Sequence, residues 1–482
     1  MGINGSNSSL CHYYAPCSYQ NSMNFVKNGT EVVITDGHLE SIDDLLNFRA
    51  LCQHVFKNQA EMNGWNTVIN GRLLGFQIPA FLYFEGIFNS SLHNFSFINF
   101  DFPVLAIRKS KRVIIADCLF CDNIEKGKNS ILCLSVGLYL IHNVVFKDCC
   151  VENCSVISIH SSTCIIKYCN MRSCLGNGTS SNLILSVNSV IEFKNNCFIS
   201  NAFKDSSLCL FSFLGYIGFW NHSWKLNVAK YSIFNEGNFY NINVSDSFFI
   251  KNKCPFLNSI ANCNVNITKT LFIENESLNV SLISIKKSMI NVDHCIFRSI
   301  IAESILTIVN CKYQRNSIVS SSFLYCKVNS AFIINEVYSF LMKKCIHEEY
   351  YSNSFYISVI SSSILLDKCI FLRGSGDCLY LNSSNSRIKQ STFLGIHNNS
   401  NFWVNQISSK MNVSNCHISY FMPIDLSSSF FSVTIFTYKK YFYHKKSFLK
   451  KCFGCVFYPI PTLPIFIVQL LGNSIIIFFK KR

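Results

Sequence analysis

The sequence predicts an all-β protein, a single-stranded right-handed parallel β-helix solenoid of about 12–14 coils. Three observations lead to this fold class. A short motif centred on one apolar residue, most often phenylalanine, recurs every 22–28 residues along most of the chain. Stretches of alternating apolar and polar residues precede it. The composition, with 44 Phe but only 20 Gly and 8 Pro, suits strands rather than long helices, collagen or linkers.

The repeat is anchored on one apolar position in each unit. Examples are DCLFCDN at 117–123, DSFFIKN at 246–252 and KCIFL at 368–372. Like residues stack between successive coils of a β-solenoid, so we expect these side chains to form an interior row. The predicted anchors are Phe97, Phe120, Phe146, Met171, Phe198, Leu226, Phe249, Phe272, Phe297, Phe323, Ile346, Phe371, Phe393 and Ile418.

Each unit contains two or three predicted strands. Alternating stretches such as SVIEFKNNCF (189–198) and MINVDHCIF (289–297) are typical of half-buried strands. A second short strand precedes them, as in NLILSV (182–187), and Ser- and Asn-rich corners lie between strands. Leucine-rich repeats share the period but need regular leucine frames, and helical solenoids need a 3.6-residue period. A parallel β-helix therefore fits best.

Asparagine and cysteine recur at fixed distances from the anchor. Stacked asparagines can hydrogen-bond to the backbone of the next coil and tolerate turn conformations. Asparagines predicted three residues after the anchor are Asn123, Asn201, Asn252, Asn275, Asn316 and Asn335, with Cys149, Cys174 and Cys326 at the same place. Cysteines two residues before it are Cys118, Cys169, Cys295, Cys369 and Cys416.

The 25 cysteines are interpreted as small buried hydrophobic residues, with disulfides in an oxidising compartment as the alternative. Two C-x-x-C pairs occur, Cys118 with Cys121 and Cys452 with Cys455. Zinc needs four ligands that converge on one point, and pairs so distant in sequence are weak support for that. We therefore predict no metal site and no cofactor.

The net charge of +15 raises the question of nucleic-acid binding. Nine of the 42 Lys and Arg lie in residues 431–482, which contain no Asp or Glu. Because the rest of the chain has no concentrated basic stripe, we predict no nucleic-acid partner.

The ends of the chain differ from its body. We predict an N-terminal cap region over 1–85, with a helix over 39–62, followed by the β-helix over 86–425. A basic linker over 426–458 precedes a candidate transmembrane helix over 459–479 and a basic tail over 480–482. A buried or disordered tail is the alternative. The N-terminal residues have no apolar signal-peptide core, and fifteen N-x-[S/T] sequons are compatible with a secreted glycoprotein.

Candidate catalytic residues were sought among acids on neighbouring coils, because polysaccharide chemistry requires paired carboxylates or a base with charge neutralisation. Asp293 and His294 with Asp367 are the nearest to a cluster, but they lie three coils apart. His142 and His160 are isolated and are interpreted as structural. No nucleophile-elbow, zincin, P-loop or dinucleotide motif occurs. We therefore predict no catalytic residues.

The F-x-x-N elements FCDN, FISN, FIKN, FIEN and FIIN resemble the repeat of chlamydial polymorphic outer-membrane proteins and of related repeat proteins of parasitic protists. The coil pattern is also similar to the pectin-lyase-like β-helix superfamily. The resemblance covers roughly residues 86–425. The companion Gly-Gly-Ala motif of the chlamydial proteins is absent, since the chain contains no Gly-Gly. The resemblance implies adhesion or another surface role.

Together these observations predict a non-enzymatic protein displayed at the cell surface and held in the membrane by its C-terminal segment. Its expected partners are a host-cell surface, glycans or other proteins. The alternative is a carbohydrate-processing β-helix enzyme or a degenerate relative of one. Elongated arrays of repeats favour weak, multivalent contacts, which is the reason for preferring adhesion.

Overall fold

The structure is a computed structural model that describes residues 89–101, 103–126, 129–212, 215–238, 240–312, 315–394 and 404–418, together with short strands at 31–85 and 424–479. It divides into two compact units. Unit 1 comprises Met1–Ile290 and Arg298–Leu306, and unit 2 comprises Asn291–Phe297 and Thr307–Arg482. The secondary structure of the described residues is entirely β, and the strands of both units wind as parallel β-solenoid coils, about 12 turns in all.

One coil of unit 1 shows the plan. Its first strand is Ser155–His160, its second Thr163–Lys167, its third Asn170–Arg172, and a short fourth strand is Leu175–Asn177. Each strand pairs in parallel with the corresponding strand of the next coil. Alternate residues of the second strand are buried and half-exposed, as the period-2 pattern predicts. The predicted parallel β-solenoid is confirmed for the described residues.

The strands of the first half of the chain are short, and many of the longer ones run through a corner. In chain order they are Glu31–Ile34, His38–Leu39, Leu46–Arg49, Gln53–Asn58, Thr67–Asn70, Leu82–Glu85, Asn89–His93, Phe95–Ile98, Leu105–Ala116, Leu119–Cys121, Ile124–Glu125, Leu132–His142, Val145–Lys147, Cys150–Glu152, Ser155–His160, Thr163–Lys167, Asn170–Arg172, Leu175–Asn177, Asn182–Val187, Val190–Lys194, Cys197–Ile199, Ala202–Phe203, Cys209–Ser212, Gly215–Trp220, Ser223–Lys225, Val228–Ala229, Phe234–Asn238 and Tyr240–Ser245.

The second half continues the same pattern of strands. They are Phe248–Ile250, Leu257–Ala261, Asn264–Thr268, Leu271–Ile273, Glu276–Lys286, Met289–Asp293, Ile296–Arg298, Ile301–Val309, Arg315–Val319, Ser322–Leu324, Lys327–Val328, Phe332–Asn335, Ser339–Lys343, Ile346–Glu348, Tyr351–Ile360, Ser363–Asp367, Ile370–Leu372, Ser375–Asn382, Asn385–Lys389, Thr392–Leu394, Val404–Ile407, Lys410–Ile418, Ile424–Ser427, Phe430–Ile435, Phe466–Leu471 and Ser474–Phe479.

The third strands of unit 1 carry the predicted interior row. Its members, in register from coil to coil, are Phe97, Phe120, Phe146, Met171, Phe198, Trp224, Phe249 and Phe272. The rings of Phe120 and Phe146 stack with centroids 4.8 Å apart. Leu226 was the wrong anchor for its coil: it lies in a corner at φ 57° and is 45% exposed, while Trp224 fills the interior. A W-x-x-N element replaces F-x-x-N there.

Unit 2 has an equivalent row with one polar member. The row runs Phe297, Phe323, His347, Phe371 and Phe393. The backbone of the predicted anchor Ile418 pairs in register with Phe393. Ile346 was the wrong anchor, because the register places its neighbour His347 between Phe323 and Phe371. The imidazole stacks on Phe323 at 4.8 Å and on Phe371 at 4.4 Å, with near-parallel planes. A histidine has replaced phenylalanine in the stack without disturbing its geometry.

Corners after the second and third strands share one conformation. The first residue of each has positive φ and lies at the surface, as with Tyr168 and Ser173. The next residue, Cys169 or Cys174 in this coil, is buried. Left-handed conformations cost non-glycine residues about 1–2 kcal/mol, so the hydrogen bonds of the buried neighbour must offset that cost.

The buried asparagines of the third corner form a continuous row in unit 1. The Nδ2 of Asn201 donates to Oδ1 of Asn227 at 3.0 Å, and Asn227 in turn donates to Asn252 at 2.9 Å. Asn252 donates to Asn275 at 2.9 Å. Each side chain also donates to the backbone carbonyl of the interior residue in the preceding coil. Asn123, which donates to the carbonyl of Phe97, occupies the same corner.

Two asparagines predicted for this row lie elsewhere. Asn316 is a buried residue of the strand Arg315–Val319, and Asn335 ends the strand Phe332–Asn335. Neither residue follows a third strand, so neither lies in the corner that contains the row. The third corner of unit 2 instead contains Cys326 and Tyr350.

The predicted helices at the two ends are wrong where the structure describes them. Residues 39–62 contain the strands Leu46–Arg49 and Gln53–Asn58, which pair in parallel with later strands. Within 459–479, Phe466–Leu471 and Ser474–Phe479 are antiparallel strands, in keeping with their Ile- and Phe-rich sequence. Residues 1–30, 436–465 and 480–482 lie outside the described residues, so most of the linker and the tail remain predictions.

The described residues include no helix that is both long and apolar enough to span a bilayer.

Candidate functional site

The acids singled out from the sequence do not converge. Asp293 and Asp367 occupy the same outward row of unit 2, with Val319 and Lys343 between them in register. Three strand spacings of about 4.8 Å separate the two carboxylates by about 14 Å, beyond the separations that glycoside hydrolysis uses. The imidazole of His294 pairs with its neighbour Asp293, with Nδ1 2.8 Å from Oδ1. The structure therefore does not bring this trio together.

The two isolated histidines have structural surroundings. His142 packs edge-on against the Tyr168 ring at 5.4 Å. Burial, followed by the nearby charge of Arg108, lowers the pKa of His160.

One cluster of metal-type ligands was missed by the sequence analysis. The ligand atoms of Cys121, Asp122 and Asp148 all lie within 4.8 Å of one another on two adjacent corners. The thiol donates to Oδ2 of Asp122 at 3.0 Å, and burial together with this acid raises the pKa of Cys121 to about 12. Lys147 already lies 3.2 Å from the carboxylate of Asp148. Cys118, the C-x-x-C partner, belongs to the preceding buried corner and is not part of the cluster.

A second charged group lies in unit 2. The guanidinium of Arg373 contacts the carboxylate of Glu348 and lies 2.9 Å from that of Glu349. The Glu348 side chain is only 10% exposed, whereas Arg373 is largely exposed. This arrangement places two carboxylates around one cation at the end of a third strand.

The most distinctive surface lies on the outward face of the second strands in unit 1. Five of them pair in register: Thr163–Lys167, Val190–Lys194, Gly215–Trp220, Tyr240–Ser245 and Asn264–Thr268. Since side chains alternate along a strand, three positions of each point outward. The first row contains Tyr216, Asn241 and Asn264; the second Glu192, Gly218, Asn243 and Asn266; the third Lys194 and Trp220. We call these nine residues the Trp220 surface.

The two aromatic rings flank a glycine. A Cβ at Gly218 would collide with the Trp220 indole, so the ring lies over the backbone of this residue. The Tyr216 and Trp220 ring centroids are 6.5 Å apart, and their planes are inclined by 36°. Both side chains are half-exposed. Gly218 is needed here for space, and it lets the indole lie flat against the sheet.

Amide side chains extend from the aromatic pair. Asn266 donates through Nδ2 to Oδ1 of Asn243 at 2.9 Å, and Asn243 donates to the hydroxyl of Tyr216 at 3.1 Å. In the adjacent row, Asn264 donates to Asn241 at 3.0 Å. The Tyr216 hydroxyl accepts the hydrogen bond from Asn243, so its own O–H can donate to a bound molecule. The result is a band of aligned amides beside an aromatic platform.

One ion pair borders the platform. Lys194 lies 2.7 Å from Glu192, and its ammonium is 5.3 Å from the centre of the Trp220 ring. Cation–π attraction and the ion pair together hold the lysine against the indole. Glu192 is the only carboxylate among the outward residues of these five strands. The Trp220 surface therefore has no second acid for paired-carboxylate chemistry.

This surface can hold a ligand that combines C–H-rich faces with many hydroxyls. The negative face of an aromatic ring attracts weakly positive C–H groups, and amides both donate and accept hydrogen bonds. This surface was not predicted from the sequence, although Gly215–Trp220 is unusual in combining Tyr, Trp and two glycines in one strand. The rows become visible only when the register between coils is known.

Comparisons with known proteins add little about function. No protein-family model matches the chain. No curated protein matches it either.

Several solved structures are similar over most of their length. PfbA, a surface adhesin of Streptococcus pneumoniae, is 10% identical, and the match has a TM-score of 0.24. It covers 96% of this chain and 94% of the PfbA chain. A mannuronic acid specific polysaccharide family 6 lyase from human gut microbiota is 10% identical, with coverages of 89% and 90% and a TM-score of 0.26. The alginate lyase AlyGC is 7% identical, with coverages of 87% and 99% and a TM-score of 0.22.

The parallel pairing of strands between successive coils identifies the chain as a parallel β-solenoid protein. At these identities and TM-scores, the likenesses do not separate an adhesin from a lyase.

Proposed function

We propose that the protein binds polysaccharide through the Trp220 surface without cleaving it. The observation that carries the proposal is the Tyr216–Trp220 pair over Gly218, beside two rows of aligned asparagines. A pyranose ring has a C–H face for the indole and hydroxyls for the amides. Successive sugars along a chain would meet successive coils, because each coil advances by about 4.8 Å.

Binding without cleavage is favoured by the charges at this surface. Cleavage of a glycosidic bond by hydrolysis needs two carboxylates, either about 5–5.5 or about 6.5–9.5 Å apart. Glu192 is instead held by Lys194, and its neighbours along the row in register are Ile165 and Gly218. The side chains on the Trp220 surface thus suit recognition better than acid–base chemistry.

Display at a cell surface, with a host-cell surface, glycan or another protein as partner, forms part of the same proposal. It rests on the sequence, namely the many sequons outside the Trp220 surface. Surface biotinylation of intact cells, followed by protease treatment, tests it. Labelling and proteolysis of the solenoid are expected, and protection of the solenoid from both reagents would contradict surface display.

The binding proposal predicts a specific loss on mutation. Trp220→Ala is expected to weaken binding to the best polysaccharide of a panel about tenfold, the equivalent of about 1.4 kcal/mol. Gly218→Ala is expected to do the same, because its Cβ would displace the indole. Affinity electrophoresis in gels that contain polygalacturonate, alginate, xylan or hyaluronan measures the effect.

Tyr338→Ala is the matched control for this experiment. Tyr338 is 65% exposed in unit 2 and does not belong to the Trp220 surface. Its replacement is expected to leave migration in every gel unchanged. Equal binding by the wild type and by both Trp220-surface variants would show that the ligand, if any, binds elsewhere.

The alternative function is a carbohydrate-processing enzyme, and the Arg373 group is the observation in its favour. Two carboxylates and a cation are the components that polysaccharide elimination requires, namely a base and a neutralising charge. Incubation of the purified chain with the same polysaccharides, followed by assays for unsaturated products and reducing ends, decides between the two. Turnover that Glu348→Gln abolishes would establish the enzyme and overturn the proposal of binding without cleavage.

A further inference from the structure

Two pairs of cysteines occupy the same corner in adjacent coils. The second corner of unit 2 contains, coil after coil, Cys295, Ser321, Cys345, Cys369, Ser391 and Cys416. Only Cys345 and Cys369 are neighbours in this sequence of coils. The third corner of unit 1 has an equivalent pair, Cys149 and Cys174.

The backbone holds Cys345 and Cys369 level with each other. The residues that follow them, Ile346 and Ile370, are in register, and the N–H of Ile370 donates to the carbonyl of Cys345 at 2.9 Å. Adjacent strands lie about 4.8 Å apart, within the Cα separation of about 4.4–6.8 Å that a disulfide spans. Both side chains point into the same interior corner.

The side chains are fully enclosed and in contact. Cys345 and Cys369 are both completely buried. Burial, followed by a hydrogen bond between the two thiols, raises the pKa of Cys369. In unit 1 the hydrogen bond to Cys174 comes first and burial second in raising the pKa of Cys149. Serine at the neighbouring positions shows that a hydroxyl is sufficient for the corner, so two facing thiols are not needed to build it.

We propose that Cys345 and Cys369 are a disulfide site, formed while the chain folds in the presence of a small-molecule disulfide, and that Cys149 and Cys174 are a second. A thiolate of the still-open chain attacks one sulfur of oxidised glutathione and expels one glutathione thiolate. The partner thiolate then attacks the mixed disulfide and expels the second. Two protein thiols are oxidised, and one glutathione disulfide is reduced to two thiols.

Peptide mapping tests the unit 2 pair directly. Cleavage after Lys344, Lys368 and Arg373 releases peptides 345–368 and 369–373, each with one cysteine. The full chain is refolded in reduced and oxidised glutathione, alkylated without reduction, and digested with trypsin. The expected product is the two peptides joined, with a mass two hydrogens below their sum. Recovery of both peptides singly alkylated, or of Cys345 joined at random to other cysteines, would overturn the proposal.

Two variants make the result specific. Cys369→Ser, which installs the residue already present at Ser321 and Ser391, is expected to abolish the linked peptide and leave Cys345 alkylated. Cys416→Ser changes a cysteine whose neighbour in the row is Ser391 and is expected to leave the link intact. Loss of the link in Cys416→Ser, with an unchanged circular dichroism spectrum, would count against the assigned pair.

Discussion

Replacement of Asn227 by alanine is expected to lower the free energy of unfolding by about 4 kcal/mol. Its Oδ1 accepts from the backbone N–H of Asn201 at 3.1 Å, and its Nδ2 donates to the carbonyl of Phe198 at 3.0 Å. Alanine would leave both backbone groups buried without these partners, and each unsatisfied group costs about 1–3 kcal/mol. It would also interrupt the amide row between Asn201 and Asn252.

Asn264→Ala is the control for this prediction. Asn264 donates to Asn241 at 3.0 Å in a similar amide pair, but it is exposed, so water replaces the lost bond. Its removal is expected to change stability by less than about 0.5 kcal/mol. Urea denaturation followed by circular dichroism measures both variants. A loss below about 1 kcal/mol for Asn227→Ala would show that the row contributes little to stability.

His347→Phe is expected to make the free energy of unfolding less sensitive to acid. Burial lowers the pKa of His347 to about 3 in the folded chain, from 6.5 in an open one. Between these values the unfolded chain binds a proton that the folded chain does not. Stability therefore falls by about 1.4 kcal/mol for each pH unit from about 6.5 down to about 3. Below that pH both states bind the proton, and His347 causes no further loss of stability.

The variant loses one hydrogen bond, but its stability depends less on pH. At pH 7 the hydroxyl of Tyr356 loses its contact with Nδ1 at 2.9 Å, which is expected to cost about 1–2 kcal/mol. The stacks on Phe323 and Phe371 are retained, because phenylalanine occupies this position in the neighbouring coils. The difference in unfolding free energy between pH 7 and pH 4.5 is expected to shrink by about 3 kcal/mol.

Denaturant titrations at the two pH values provide the measurement. Phe393→His, which adds a buried imidazole to the same row, is the opposite change and is expected to steepen the loss of stability with acid. His222, whose pKa burial lowers to about 4, contributes in the same direction and stays in both variants. An unchanged pH dependence in His347→Phe would show that His347 is not the group responsible.

The coil could be predicted well from the sequence because each coil needs the same kinds of interior residue. An apolar anchor, a corner and a small buried residue recur in nearly every unit, so Phe120, Phe198 and Phe371 were correctly placed. The predicted anchor was wrong where an unexpected residue met this need. Trp224 and His347 fill the row through size and flatness, and a search for phenylalanine or isoleucine passes over them.

The ends and the surface were less predictable for different physical reasons. Residues 46–49 and 53–58 have helical spacing, but parallel pairing with other strands decided their conformation. The Trp220 surface obeys no periodic rule, because outward positions need only tolerate water. Tyr216, Asn243 and Asn266 become neighbours through the register of coils that differ in length. Such alignment cannot be read from a single strand.

The left-handed corners have an evolutionary consequence. In the described part of the chain, thirty-nine non-glycine residues adopt positive φ, among them side chains as different as Asp117, Tyr168 and Lys368. Most of them begin a corner and have exposed or half-exposed side chains, whereas Asn94 is buried. Single substitutions at the exposed corners are expected to change the charge and shape of the surface while the coil still folds. The surface of the solenoid can therefore change in evolution without a change of fold.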